Sequence, residues 1–113
     1  MKLLILGFLT IVSLNAGWKS GNDLVSAMDE YIKSSNGVNH NSYKDSSYIS
    51  YVFGVSDTLI DAGYVCYPDN VNVKQILEIV KKFIEDNPKE WNNQASYLVQ
   101  KPLLDTFPCK KKK

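Results

Sequence analysis

Apolar residues recur at helical spacing along this chain, in stretches parted by short polar clusters. Ser20 with Asp23 three residues later forms a capping-box signature, and Leu24, Ala27, Met28, Tyr31 and Ile32 follow on one face. The pattern predicts a first helix ending near Ser34. Residues 35–41 are polar and turn-forming, and Ser42 with Asp45 is positioned to start a second helix. Tyr48, Tyr51, Val52, Val55, Leu59 and Ile60 trace its face, Ile49 and Phe53 widen it, and Gly63 is placed to close it in left-handed backbone. The expectation is a long, mostly buried helix. Residues 48–55 also have strand propensity, but polar and apolar positions do not alternate there and no second convincing strand could pair with them.

Asn72 and Gln75 make a further capping box after the loop of residues 64–71. Val73, Ile76, Leu77, Val80, Phe83 and Ile84 then form the most regular apolar stripe in the chain. Asn87-Pro88 ends it, because proline disfavours helical backbone in the residue before it while suiting the first position of a new turn. Residues 88–91 are expected to form such a turn. Ala95, Leu98, Val99 and Leu103 mark a last helix, and Pro102 inside it is expected to kink it or end it early. These elements predict an all-α fold, a small bundle of about four helices.

The first residues follow a different rule. Lys2 precedes an apolar run over residues 3–12, and Ser13-Leu14-Asn15-Ala16 offers a small residue for cleavage. That run falls well short of the roughly 20 residues a spanning helix needs. An export signal over residues 1–16, cleaved after Ala16, is therefore expected; the competing reading keeps the segment as an uncleaved anchor. Residues 17–109 form one domain, with a lysine tail at residues 110–113. The chain holds 13 Lys+Arg, all of them lysine, against 12 Asp+Glu, and without Lys2 and the tail the folded part is acidic. Nucleic acid is excluded as a partner, since its recognition leans on arginine and on a basic face.

Cys66 and Cys109 are the only cysteines. In an exported chain with no Cys-x-x-Cys and no histidine cluster, they read as a disulfide rather than a metal site. A Cys–His catalytic pair is the weaker reading, because the single histidine, His40, lies in a polar turn. Asp57 and Asp61 share a helical face four residues apart, which suits solvation better than paired acids opposed across a cleft. No catalytic residue, metal, cofactor or small-molecule substrate is expected, and binding is the activity left. The candidate surface is the loop Glu85-Asp86-Asn87-Pro88-Lys89-Glu90-Trp91-Asn92-Asn93, which joins two helices, carries several charges and holds a large aromatic. Trp91 admits two readings of equal weight, an interface anchor or a core residue.

The order Tyr51-Val52-Phe53-Gly54-Val55-Ser56-Asp57, Cys66-Tyr67-Pro68, Val71 to Ile76, Val80 to Pro88, Ala95-Ser96-Tyr97-Leu98-Val99 and Phe107-Pro108-Cys109 resembles the Rap/Tai immunity family from about Gly21 to Cys109. The resemblance implies a small all-helical periplasmic protein, often a homodimer, that does no chemistry itself. Its partner would be a cognate peptidoglycan amidase delivered by a type VI secretion system, blocked by a loop in the region of residues 85–93 entering its active-site groove. Family members often carry a second cysteine pair between the first two helices, and the matching positions here are Met28 and Tyr48. A periplasmic acid-stress chaperone, also small, exported, helical and held by one disulfide, is the alternative from another class.

Overall fold

Ser20 starts the first helix as its spacing predicts. Its hydroxyl accepts from the Asp23 amide at 3.1 Å, and the Asp23 carboxylate accepts from the Ser20 amide at 3.4 Å, so two donors orphaned by the helix start are satisfied. In the computed structural model, which describes residues 19–110, helix α1 then spans Gly21–Ser35. The expected export signal over residues 1–16 and the lysine tail beyond Lys110 lie outside the described residues. Three more helices follow: α2 at Ser42–Asp61, α3 at Val73–Asp86 and α4 at Ala95–Thr106, with a 3-10 turn at Pro88–Glu90 between the last two. Among the described residues there is no β-strand, only two isolated antiparallel bridges, and the fold is a small all-α bundle as expected.

The helix ends follow from their glycines and amides. Gly37 and Gly63 adopt φ of 71° and 83°, which only glycine takes without strain. Each closes a helix with the paired bonds of a Schellman cap: Val38 N to Lys33 O at 2.8 Å after α1, and Tyr64 N to Leu59 O at 2.9 Å after α2. Asn72 caps α3, accepting from the Gln75 amide at 2.8 Å while the Gln75 side chain accepts from the Asn72 amide at 3.2 Å.

Helix α2 starts at Ser42 as expected, and Asn41 caps it: its side chain accepts from the Lys44 amide at 3.0 Å, and its own amide is taken by Glu30 of α1 at 2.8 Å. Three local expectations need correction. Helix α2 is not mostly buried, since only Tyr48, Val52, Ser56 and Leu59 are enclosed while Ile60 is 43% exposed. One side of α2 meets α1, α4 and, less extensively, α3; among the described residues no further element covers the other. Val73, at the first position of α3, is exposed rather than part of the buried stripe. Of the two expectations at Pro102, the early end is overturned: helix α4 runs on to Thr106. Pro102 and Leu103 are both buried there, and that packing outweighs the one backbone donor the proline withholds.

Helix α4 packs against each of the other three, and α1 lies along α2. Two buried tyrosines tie this pair to α3. The Tyr31 and Tyr48 rings sit 4.9 Å apart, Tyr48 donates to Leu77 O at 2.9 Å, and Tyr31 donates to the Glu78 carboxylate at 2.8 Å. Met28 and Tyr48, which the resemblance set against a second cysteine pair, are 2% and 0% exposed and packed in the core.

Burial, helped by the adjacent Glu78 carboxylate, pushes the Tyr31 hydroxyl up to about 12, and burial also raises Tyr48. A folded pKa above the unfolded value of 10.0 means that both groups contribute fully below it; Tyr31 loses its share as pH climbs toward about 12, and Tyr48, raised further, goes on losing its own beyond that. Resistance to urea should therefore fall between about pH 9 and about pH 11.5, and Tyr31→Phe should flatten part of that fall. A Tyr31→Phe chain with an unchanged slope would show that Tyr31 carries none of it.

Cys66 and Cys109 are joined, with Cα atoms 4.9 Å apart, as their isolation in the sequence predicts. The clasp is reinforced by the Val65–Pro108 bridge, by Cys66 N to Phe107 O at 2.9 Å, and by Tyr67 edge-on to Phe107 at 4.9 Å. Val65 beneath it is 1% exposed, which anchors the loop between α2 and α3 to the core.

Candidate functional site

The loop over residues 85–93 begins where α3 stops. Asn87 stops it twice, its amide bonding Ile84 O at 3.2 Å and its side chain donating to Phe83 O at 2.8 Å. These bonds satisfy carbonyls that a helix end leaves open, and Pro88 then sets the backbone for the 3-10 turn. Trp91 closes the turn with its amide on Pro88 O at 3.2 Å. Its indole folds back under the loop: Nε1 donates to Ile84 O at 2.7 Å, and the ring packs half-buried against the core. The tryptophan thus props the loop from within while staying partly exposed.

The far end of the loop is clamped to the start of α1. Asn93 O accepts from the Gly21 amide at 2.7 Å, Gln94 bridges Ser20, and Ala95 N donates to Lys19 O at 3.1 Å. Gly21 is buried, and a Cβ there would lie 2.5 Å from Asn93 O and closer still to Trp91 O. Only a hydrogen fits. Sequence reasoning missed this clamp, because a glycine beside an N-cap carries no local sign that a loop some seventy positions away rests on it.

Outward from this seat the loop presents polar and charged groups. Glu85, Asp86, Lys89, Asn92 and Asn93 are exposed, and Asn87 and Glu90 are half-buried. Asn93 Nδ2 donates to Glu90 Oε1 at 2.6 Å, which holds that carboxylate in place. Asp86 pairs with Lys82 at 3.1 Å, both well exposed, a contact of little stabilising worth that a partner could displace. Among the described residues, Glu85 and Lys89 are in no ion pair. Such an array can recognise a complementary surface; it holds no nucleophile and base in contact. Elsewhere, both cysteines are consumed in the disulfide, and His40 packs on Val38 O at 2.9 Å and on Asp45 at 3.6 Å, so no Cys–His pair is assembled. Asp57 and Asp61 are both exposed on α2, as solvation requires.

A family model for Rap1a immunity proteins matches residues 20–109. The chain belongs to the Rap1a immunity protein family. The match opens on Ser20, the cap of α1, and closes on Cys109, the second half of the disulfide, so it coincides with the folded body and takes in both anchors of the loop. No curated protein and no solved structure matches the chain significantly. Membership makes it an immunity protein against a secreted effector, and the acid-stress chaperone reading gives way to that.

Proposed function

We infer that this Rap1a protein acts in the periplasm, where it binds a peptidoglycan amidase delivered by type VI secretion and fills the amidase's active-site groove with the loop of residues 85–93. It acts by occlusion, without turnover, and as a homodimer, in keeping with the Rap/Tai resemblance. The observation that carries this reading is the clamped loop. Its backbone is tied at Ile84 on one side and at Gly21 on the other, so the conformation that meets a partner is largely set beforehand. A pre-set loop loses little entropy on docking, which is how rigid inhibitors reach high affinity from modest area. The exposed charges would steer and orient the approach. A disulfide at Cys66 and Cys109 suits an oxidising compartment outside the inner membrane.

Replacing Asp86, Lys89 and Glu90 together by alanine should weaken binding to the amidase by about 2 kcal/mol, roughly thirtyfold, while leaving the melting temperature nearly unchanged. Titration calorimetry and a peptidoglycan cleavage assay read the two sides of this. Full inhibition by the triple variant would move the interface off the loop.

A further inference from the structure

The loop is too small to be the whole interface. From Glu85 to Asn93 it offers nine residues, whereas a specific inhibitor complex engages about 20–30 residues a side. More surface must come from what adjoins it. Next to the loop, across Lys19 and Ser96, runs a trough along the uncovered side of α2. It consists of two shallow grooves of about 380 and 370 Å³ that share Ser50 and Tyr51 in their walls. Lys19, bonded through its carbonyl to Ala95, closes one end, and Ser96 of α4 forms part of the side.

Two properties set this trough apart. From Ser46 to Ser56 no residue of α2 carries a charge, on a body otherwise dense in lysine and carboxylates. Hydroxyls and tyrosine take their place, and Tyr43 is 82% exposed at the rim. Few charges and exposed tyrosine are marks of an interface centre, whereas the trough's serines are not; the charged loop has the composition of a rim. The second property is Gly54, exposed in the middle of a twenty-residue helix. Among the described residues a Cβ there would meet no heavy atom within 4 Å, so nothing in their packing calls for a glycine. Glycine weakens a helix interior relative to alanine, and its usual use is to let another backbone come close.

We propose that this trough, centred on Gly54, is a second contact surface for the same effector, receiving a neutral segment with small side chains whose backbone passes close over Gly54. The inference rests on the loop reading above. A second copy of this chain fits the trough less well. Self-association favours the more apolar surface, and the exposed aliphatic side chains gather elsewhere, with Ile60 at 43% and Val73 at 55% flanking a separate groove.

The test uses the mature protein and a peptidoglycan amidase that the unmodified chain inhibits. Gly54→Leu fills the trough and Ser50→Lys places a charge in it; both side chains enter open space on an exposed helix face, so melting temperature serves as the control for folding. Each variant should bind the amidase at least tenfold more weakly with the fold intact, and their effects should add to that of the alanine triple variant in the loop. Unchanged affinity in both folded variants overturns the inference while leaving the loop reading standing. A normal affinity accompanied by conversion from dimer to monomer in sedimentation assigns the trough to a second copy and overturns it equally. If only the trough variants weaken binding, the loop reading fails and the trough stands as the main interface; if the unmodified chain binds no amidase, both fall.

Discussion

Replacing Cys66 and Cys109 together by serine should lower the unfolding free energy by about 4 kcal/mol, because the bond closes a loop of 43 residues and removes that freedom from the unfolded chain. For a domain whose whole stability is of the order of 5–15 kcal/mol, this is the largest single loss expected of any change outside the core. The folded state should survive it. Val65 stays buried, the Val65–Pro108 bridge remains, and Tyr67 still meets Phe107. Helical circular dichroism at room temperature should be unchanged while the urea midpoint falls steeply. Cys66 is exposed, so a thiol reductant added to the unmodified protein should reproduce the shift. The loop of residues 85–93 shares no anchor with the disulfide, and its affinity for the effector should persist wherever the variant is folded. A loss below about 1 kcal/mol would mean that the chain is already restricted when unfolded, or that the bond strains the fold.

The second large effect belongs to Gly21→Ala, and here the sign is the test. At the start of a helix, alanine ordinarily gains up to about 1 kcal/mol over glycine. At Gly21 the added methyl would press on the carbonyl oxygens of Trp91 and Asn93 and touch Leu98 Cδ1 at 3.0 Å. Backbone carbonyls cannot swing aside as a flexible side chain can. Either α1 shifts or the loop lifts, and the net result should be a loss of about 2 kcal/mol of stability. Binding should suffer more than in the alanine triple variant, since the whole loop is displaced rather than its charges removed. Gly54→Ala supplies the contrast: with open space above it, it should stabilise the free protein by roughly 1 kcal/mol. Urea unfolding of the two variants side by side checks both signs. A stabilised Gly21→Ala protein would show that the loop is not seated on α1.

Much of this fold is legible in the chain because its signals are local. Ser20 with Asp23 and Asn72 with Gln75 form capping boxes within four residues, and both helices start where those pairs stand. Gly63 closes α2 for an equally local reason, since no other residue accepts that backbone cheaply. The reading fails where a distant partner decides. The tie between the cap of α2 and α1 is not read from the chain, because Glu30, eleven residues before Asn41, holds its amide. Pro102 stays inside α4 because the core holds the residues around it.

The candidate site divides along the same line. Its position between α3 and α4, its charges and its tryptophan follow from order and composition alone. The direction of Trp91 does not, because the Ile84 carbonyl that receives its indole is freed only once α3 has ended there. Nor does the seat on Gly21, or the trough beside it, since both exist only when segments far apart in sequence are brought together. The sequence by itself determined the helices, the staple and the family, all of which rest on spacing and residue type. Tertiary structure alone decided which side of α2 stays open and how firmly the loop is held, because burial and close approach are properties of pairs of segments.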